Sequence, residues 1–154
     1  MTFEDLDLSN QLQYAIDDLG FDTPTPIQEQ AFSVVRSGKD VVGIAQTGTG
    51  KTFAYMLPIL RDLAYSKQLH PRILVLVPTR ELVIQVVTQI EQLSKYINTR
   101  VLGVYGGANI NTQRQAIHQG QDIIVATPGR LYDLALSNSL KLKSIQKLVI
   151  DEVD

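Results

Sequence analysis

The segment whose residue types and spacing most clearly suggest a chemical function is "AQTGTGKT", from Ala45 to Thr52. Gly48 and Gly50 allow the backbone to curl so that successive amides point at phosphate oxygens. Lys51 supplies a positive charge for the terminal phosphates, and the Thr52 hydroxyl is suited to Mg²⁺. The segment lies between a predicted strand and a predicted helix, whose N-terminal dipole also attracts anions. It therefore predicts a phosphate-binding loop, although Ala45 replaces the first glycine of the general pattern.

A second chemical segment is "KLVIDEVD", which places three carboxylates directly after an apolar run. Such a cluster is costly unless a cation lies within it, because like charges repel. In phosphate-loop nucleotidases, a strand end supplies an aspartate that holds Mg²⁺ opposite the loop threonine. Asp151 is the candidate for that ligand. Glu152 is then the candidate to orient the attacking water or accept its proton. The predicted catalytic residues are therefore Lys51, Asp151 and Glu152.

Three further segments follow predicted strands: "PTREL" from Pro78, "GG" at Gly106 and "TPGR" from Thr127. Each carries hydroxyls, arginines or unhindered backbone amides at a point where a strand passes into a helix. In a parallel sheet these points share the edge that carries the phosphate loop. Such a row suits a single nucleic-acid strand held by its backbone, without base reading.

The elements that must position these residues alternate as short apolar runs and helical segments. The predicted strands are Asp40–Ala45, Arg72–Val77, Arg100–Tyr105, Asp122–Ala126 and Lys147–Asp151, and the helices between them are Lys51–Tyr65, Arg80–Lys95, Ile110–Gln119 and Gly129–Leu136. Continuous apolar runs are typical of strands covered on both faces. The order predicts an α/β fold with a doubly wound, mostly parallel sheet. Two helices precede it, one capped by Ser9 and ending at Leu19, the other capped by Thr25 and ending at Ser37.

Composition sets the broad class. The chain has 154 residues, a net charge of −2 and no cysteine, which favours one globular domain and excludes disulfides and thiolate metal sites. The charge argues against a large basic patch for duplex nucleic acid. His70 and His118 share no ligand spacing and are interpreted as surface residues. The start "MTFEDLDLSN" has no apolar core, and no run is long enough to cross a membrane, so we expect a cytoplasmic protein without membrane contact.

Taken in order, these segments resemble the first RecA-like domain of a DEAD-box ATP-dependent RNA helicase. "GFDTPTPIQ" is similar to the Q motif of that family, "AQTGTGKT" to its Walker A loop and "PTRELV" to its motif Ia, with Val83 where alanine is usual. "GG" and "TPGR" are similar to its RNA-contacting elements, and "DEVD" to the DEAD box, with Val153 replacing alanine. The resemblance covers the whole chain, with 1–37 as the Q-motif region and 38–154 as the phosphate-loop core.

The resemblance implies a role for individual residues. Gln28 would pair with adenine through its amide, Phe21 would stack on the base, and Phe3 would buttress the loop. The nucleotide-binding set is Phe3, Phe21, Gln28, Gln46, Thr47, Gly48, Thr49, Gly50, Lys51 and Thr52, with Thr52 and Asp151 on Mg²⁺. The RNA path would be lined by Pro78, Thr79, Arg80, Gly106, Gly107, Thr127, Gly129 and Arg130, with 2′-hydroxyls distinguishing RNA from DNA. ATP and Mg²⁺ are thus the implied cofactors.

One departure from the family concerns elements beyond "DEVD". In the family, the next strand carries a Ser-Ala-Thr motif and lies in the sheet between the Walker A strand and the DEAD-box strand. That strand is not among these residues, and Asp154, which normally partners it, has no assigned role here. The arginines that stabilise the transition state also come from a second RecA-like domain, so activity is expected to need that domain.

Three other hypotheses stay open at this point. In the first, the chain is a binding module that holds nucleotide and RNA without turnover. RNA-stimulated ATP hydrolysis would exclude this hypothesis. Alternatively, it belongs to a DNA-directed helicase or another phosphate-loop ATPase. The segment "GFDTPTPIQ" argues against this alternative, and a comparison of RNA with DNA of one sequence would test it. A purely structural domain would leave nucleotide affinity unchanged in Lys51→Ala.

Overall fold

The computed structural model describes residues 1–46 and 50–152. A short 3₁₀ helix lies at Phe3–Asp5. The α-helices are α1 Asn10–Asp18, α2 Pro26–Arg36, α3 Lys51–Asp62, α4 Arg80–Leu93, α5 Ile110–His118 and α6 Pro128–Leu136, and the strands are β1 Ile73–Leu76, β2 Val101–Val104, β3 Ile123–Ala126 and β4 Lys147–Ile150. The chain forms two compact units, Met1–Ala64 with Gln89–Asn98, and Tyr65–Thr88 with Thr99–Asp154.

The second unit is built on a four-stranded sheet with the order β2-β3-β1-β4. All three pairings are parallel, and Ile73 lies opposite both Ile123 and Lys147 in the register. Parallel neighbours need crossover connections, which the helices between the strands supply. The predicted α/β class and parallel sheet are confirmed, with fewer strands than the sequence predicted.

Helices cover both faces of this sheet. On one face, Leu74, Ile124 and Val104 pack with Ile117 of α5 and Leu134 of α6 in a buried apolar cluster. On the other face, α4 approaches β2 so closely that a Cβ on Gly103 would lie 2.7 Å from Val83 Cγ1. The continuous apolar runs of β1 and β3 reflect burial on both faces, whereas β4 alternates between half-buried and exposed residues. The sheet is doubly wound as predicted.

The amino ends of three neighbouring strands are tied together by charge. Arg72 precedes β1, Arg100 precedes β2, and Asp122 precedes the central strand β3. Asp122 accepts a hydrogen bond from Arg72 Nη2 at 3.1 Å and from Arg100 Nη2 at 2.9 Å, and its side chain is only 4% exposed. Burial alone would raise the pKa of Asp122, but hydrogen bonds from Arg100 and Arg72 outweigh it and the pKa is lowered. The carboxylate thus stays ionised inside the fold.

The first unit is helical. Ser9 caps α1 by accepting the backbone N–H of Leu12 at 3.3 Å, as predicted. Thr25 is the N-cap of α2 and Pro26 its first residue, also as predicted. Helix α3 ends at Asp62, three residues before the predicted end at Tyr65. Leu63 accounts for the difference, because its extended backbone (ψ 108°) stops the helix there.

The prediction of a strand at Asp40–Ala45 is wrong. These residues adopt no regular structure, and the side chains of Val42 and Ile44 are 90% and 91% exposed. A strand is stabilised by hydrogen bonds to a neighbour, and apolar sequence alone cannot supply them.

Candidate functional site

Of the residues predicted to hold nucleotide, Gln28, Gly50, Lys51 and Thr52 lie at the start of α3, in the first unit. Gln28 is the centre of this group and is only 5% exposed. The backbone N–H of Thr25 donates to its Oε1 at 2.9 Å. Its Nε2 donates in turn to the carbonyl of Gly50 at 3.2 Å. The amide therefore connects the beginning of α2 to the beginning of α3, and these two contacts use one of its two N–H groups and one lone pair of its oxygen.

Gly50 is the N-cap of α3 and has a left-handed backbone, with φ 81°. Only glycine adopts this conformation without strain. A Cβ at this position would also clash with the Gln28 amide. The glycine of the phosphate loop is thus required twice, by its own conformation and by the approach of Gln28.

Two aromatic residues flank this group. The Phe21 ring meets the Phe53 ring edge to face, with centroids 5.8 Å apart, and Phe21 keeps 46% of its surface exposed. Phe3 is 2% exposed, and its backbone N–H donates to the Asp22 carbonyl at 3.0 Å. Phe3 therefore anchors the loop that carries Phe21, while Phe21 presents a free aromatic face for stacking.

Lys51 and Thr52 occupy the first turn of α3 and are partly buried. The first N–H groups of a helix have no partner within it, so this turn presents donors to an anion. Gln46 lies before the loop and is exposed. The predicted phosphate-binding residues Thr47, Gly48 and Thr49 lie outside the described residues.

The predicted acids lie at the carboxyl end of β4, in the second unit. The backbone N–H of Asp151 donates to the Leu76 carbonyl at 2.9 Å, which continues the pairing of β4 with β1. The backbone N–H of Glu152 donates to Asp151 Oδ1 at 2.9 Å. Glu152 has φ 58°, a conformation rare for residues other than glycine and one that clusters at functional sites. Val153 and Asp154 lie outside the described residues.

Each of the two predicted magnesium ligands, considered within its own unit, has a chemistry that suits this ion. Mg²⁺ prefers hard oxygen ligands and is usually bound by one or two carboxylates together with substrate phosphates and water. Asp151 and the hydroxyl of Thr52 are donors of this kind. No group of three or more His, Cys, Asp or Glu side chains able to hold a metal occurs within residues 1–46 and 50–152.

The predicted nucleic-acid residues form a row at the carboxyl ends of β1, β2 and β3. Thr79 accepts the backbone N–H of Leu82 at 3.2 Å and so caps the first turn of α4. The guanidinium of Arg80 lies 5.2 Å from the centroid of the Tyr105 ring, which holds it by a cation–π contact. Arg80 also lies near Gly107, which has φ 82°. The residues after β1 and β2 are therefore brought together as predicted, and Pro78, Thr79, Arg80, Gly106 and Gly107 are all exposed.

Arg130, after β3, is directed into the protein. Its Nη1 donates to Gln113 Oε1 at 2.8 Å, and Nη1 and Nη2 both donate to the Ala108 carbonyl at 3.2 Å. Gln113 in turn donates from Nε2 to the Tyr105 carbonyl at 3.1 Å. Two side chains thus hold both ends of the loop that contains Gly106 and Gly107. Thr127 and Gly129 open α6 beside them, with Thr127 as its N-cap.

Gln113 was not among the predicted site residues, although the sequence carries a signal for it. Ile110, Gln113 and Ile117 have the three- and four-residue spacing of a buried helical stripe, and a polar residue on such a stripe needs a partner. Gln113 is 7% exposed and finds two. Tyr105 was likewise assigned only to a strand, although its ring supports Arg80.

No helix in the part of the chain that the structure describes has both the length and the apolar character required to cross a bilayer.

Comparison with known proteins gives consistent matches. The family model described as DEAD/DEAH box helicase matches residues 25–154. The chain is 43% identical to "ATP-dependent RNA helicase DeaD" of Haemophilus influenzae over all of this chain and 25% of that protein. It is 45% identical to human "Probable ATP-dependent RNA helicase DDX27" over all of this chain and 20% of that protein. It is 41% identical to "DEAD-box ATP-dependent RNA helicase CshA" of Bacillus cereus over 99% of this chain and 29% of that protein. The chain thus spans between a fifth and a third of the length of these relatives.

Proposed function

Because this chain belongs to the DEAD/DEAH box helicase family, we propose that it is the nucleotide- and RNA-binding first domain of an ATP-dependent RNA helicase. In the whole protein, RNA-stimulated ATP hydrolysis would be coupled to local unwinding of RNA duplexes. A second RecA-like domain would be needed to complete the active site. The observation that carries the proposal is the hydrogen bond from Gln28 Nε2 to the Gly50 carbonyl. This bond joins the residue expected to pair with adenine to the first residue of the turn that would bind phosphate.

The nucleotide would lie along the start of α3. Among the described residues, the two contacts of the Gln28 amide leave one N–H and one lone pair, which match the acceptor N7 and the donor N6 of adenine. Guanine presents a carbonyl oxygen where adenine has its amino group, so the same amide would not match it in that orientation. Phe21 would stack on the base, and Lys51 would attract the terminal phosphates. These roles predict ATP and ADP as ligands in preference to GTP and GDP.

Asp151 and Thr52 would hold Mg²⁺, which when bound neutralises charge on the phosphates. Glu152 would orient the attacking water or accept its proton. The left-handed backbone of Glu152 supports a special role, because such strain in a glutamate persists only where the surroundings impose it.

RNA would lie across the row formed by Thr79, Arg80, Gly107 and Thr127. Exposed backbone amides and hydroxyls at helix starts suit phosphate oxygens. Arg130 would act mainly by holding the Gly106–Gly107 loop, since its guanidinium is bonded to Ala108 and Gln113. Recognition through the backbone implies little dependence on RNA sequence. A cytoplasmic location stays a prediction from the sequence.

A second candidate is a chain that binds nucleotide and RNA without turnover. It is favoured by one observation: the segment 40–45, which leads into the phosphate loop, is not part of the sheet. Catalysis depends on reacting groups held in fixed geometry, and an unpaired segment holds the loop less firmly than a strand. RNA-stimulated ATP hydrolysis by the 154-residue chain would exclude this candidate.

The first experiment is thermal melting of the chain with Mg-ADP and with Mg-GDP. A ligand that binds only the folded state raises stability by about 2.7 kcal/mol at a concentration of one hundred times its Kd. For a chain of this size, that corresponds to a rise of roughly 5–10 °C in Tm. We expect this rise with Mg-ADP and not with Mg-GDP, and we expect EDTA to reduce it.

Lys51→Ala and Lys67→Ala form a matched pair for this experiment. Both remove one lysine side chain, but Lys67 is exposed and far in sequence from the phosphate loop. The ADP-induced rise should disappear in Lys51→Ala and persist in Lys67→Ala. Equal rises with ADP and GDP, or a rise that survives Lys51→Ala, would contradict the proposed nucleotide site.

The RNA proposal has its own measurement. Fluorescence anisotropy with a single-stranded RNA and a DNA of the same sequence should show tighter binding of the RNA, with similar affinity for RNAs of unrelated sequence. Preference for DNA would favour a DNA-directed helicase instead.

A further inference from the structure

The side chain of Arg80 differs from those of the other arginines in having no polar partner among the described residues. The others each donate a side-chain hydrogen bond within the chain: Arg36, Arg61, Arg72, Arg100, Arg114 and Arg130. Within residues 1–46 and 50–152, the guanidinium of Arg80 makes no hydrogen bond and no ion pair, and the residue is exposed. The N–H donors of Arg80 are therefore not used by this part of the protein.

Arg80 occupies an unfavourable position for a cation. It is the first residue of α4, and the N-terminus of a helix carries a partial positive charge, which repels a guanidinium. The contact that offsets this repulsion is the ring of Tyr105, whose centroid lies 5.2 Å from Cζ of Arg80. The negative face of an aromatic ring attracts the flat side of a guanidinium. The N–H groups lie in the guanidinium plane, so this contact leaves them for another acceptor.

The ring of Tyr105 is carried by a fixed part of the backbone. Tyr105 directly follows β2, and its carbonyl accepts the hydrogen bond from Gln113 Nε2 at 3.1 Å. The carbonyl of Val104, the preceding residue, accepts the backbone N–H of Thr127 at 3.2 Å. The ring therefore offers Arg80 a surface whose position is set by neighbouring elements, as a supporting residue of a binding site requires.

On the side of the Gly106–Gly107 loop, Arg80 lies beside bare backbone. A Cβ on Gly107 would lie 3.9 Å from Arg80 Nη1, which is ordinary van der Waals contact. Because glycine has no side chain, the space beside this nitrogen stays open, and Gly106 and Gly107 are themselves exposed. An anion can therefore approach Nη1 without meeting a side chain of this loop.

We propose that Tyr105 is a positioning residue for RNA binding. Its ring holds the guanidinium of Arg80 so that the N–H donors bind two oxygens of one phosphate, a match that the planar guanidinium makes well. Since the side chain is already held before RNA arrives, less side-chain freedom is lost on binding. The inference rests on the RNA-binding role proposed above and adds to it a residue that itself touches no RNA.

Fluorescence anisotropy with a single-stranded RNA tests the proposal. Tyr105→Leu removes the ring and keeps an apolar side chain, so the affinity should fall about two- to fivefold, the range of an exposed cation–π contact. Tyr105→Phe keeps the ring and should bind RNA as the wild type does. The matched control is Tyr65→Leu at an exposed tyrosine. Tyr65 adjoins Ser66, whose carbonyl accepts from Arg100 before β2, at the opposite edge of the sheet, so this variant should bind normally.

A double variant separates positioning from a general loss of packing. Arg80→Ala should weaken RNA binding about tenfold or more, because a phosphate loses its charged donor. In the Arg80→Ala background, Tyr105→Leu should have no further effect, since the ring then has no guanidinium to hold. A purely structural role of Tyr105 would instead give losses that add.

The salt dependence of binding is a readout that does not depend on the folding of Tyr105→Leu. Arg80→Ala removes a cation and should reduce the slope of log K against log salt by about 0.7. Arg80→Lys keeps the charge but lacks the planar pair of donors, so it should weaken binding while the slope is unchanged. Arg80→Lys that binds as tightly as the wild type would overturn the proposed geometry.

The remaining outcomes distinguish this inference from the function on which it rests. A wild-type chain that does not bind RNA would overturn both. If the wild type binds RNA, the positioning role alone is wrong in any of three cases: Tyr105→Leu binds equally well, Tyr105→Phe is as weak as Tyr105→Leu, or the losses in the double variant add.

Discussion

The charged cluster at the amino ends of β1, β2 and β3 predicts a large loss of stability in Asp122→Asn. This substitution keeps the size of the side chain and one acceptor but removes the negative charge. Arg72, whose side chain is 9% exposed, would then be left as a buried cation without a charged partner. Loss of one partner from a buried ion pair costs about 3–5 kcal/mol. For a chain of this size, the expected fall in Tm is about 6 °C or more.

The pH dependence of stability provides a second readout of the same cluster. The folded pKa of Asp122 is lowered from its ordinary value of 3.8. A carboxyl of this kind contributes stability above its unfolded pKa, and the contribution is lost as pH falls through the lower, folded pKa. Urea denaturation should therefore show a difference between wild type and Asp122→Asn that is full at neutral pH and shrinks below about pH 4.

Asp7→Asn is the matched control for this prediction. Asp7 also pairs with two arginines, Arg36 and Arg61, but 71% of its side chain is exposed. Its loss should hardly alter the melting temperature, because solvent screens exposed pairs. If Asp7→Asn and Asp122→Asn lowered Tm equally, or if the Asp122→Asn difference did not depend on pH, burial would not be the source of the cluster's strength.

Three other substitutions test packing and site geometry. Gly103→Ala would push a Cβ into Val83 and should cost about 1–3 kcal/mol in urea denaturation, whereas Gly129→Ala, with nothing within 4 Å, should cost nothing measurable. Gln113→Leu releases the Gly106–Gly107 loop and should weaken RNA binding about tenfold in anisotropy while the ADP-induced rise in Tm persists; loss of both would indicate unfolding. Gly50→Ala places an alanine with a left-handed backbone against the Gln28 amide and should abolish the ADP-induced rise in Tm. An ADP-induced rise that persists in this variant would refute the prediction.

The parts of the fold that depend on local pattern could be predicted from the sequence. Four of the five predicted strands form, each within one residue of its expected bounds, because each run has a neighbour with which to pair. All six predicted helices form, and the caps at Ser9 and Thr25 lie where side-chain chemistry placed them. Helix ends were less predictable: α3 ends early at Asp62, since periodicity in sequence does not report how the last turn is completed.

The candidate site could be predicted only in part. Motifs identified the residues that are proposed to face a ligand, such as Gln28, Arg80 and Gly107. They did not identify the residues that hold those groups in place, because a supporting contact depends on which elements meet in three dimensions. Gln113 supports the Gly106–Gly107 loop from a helix that carries no motif. Arg130 belongs to the "TPGR" motif, but its contacts also support this loop.

The segment 40–45 and strand β4 show that apolar sequence alone does not predict which runs pair into a sheet. Both are apolar runs of similar length, and composition gives no reason to separate them. β4 forms because β1 offers it an edge, and 40–45 stays irregular although Val42 and Ile44 remain exposed. Sheet membership is therefore a property of a pair of strands.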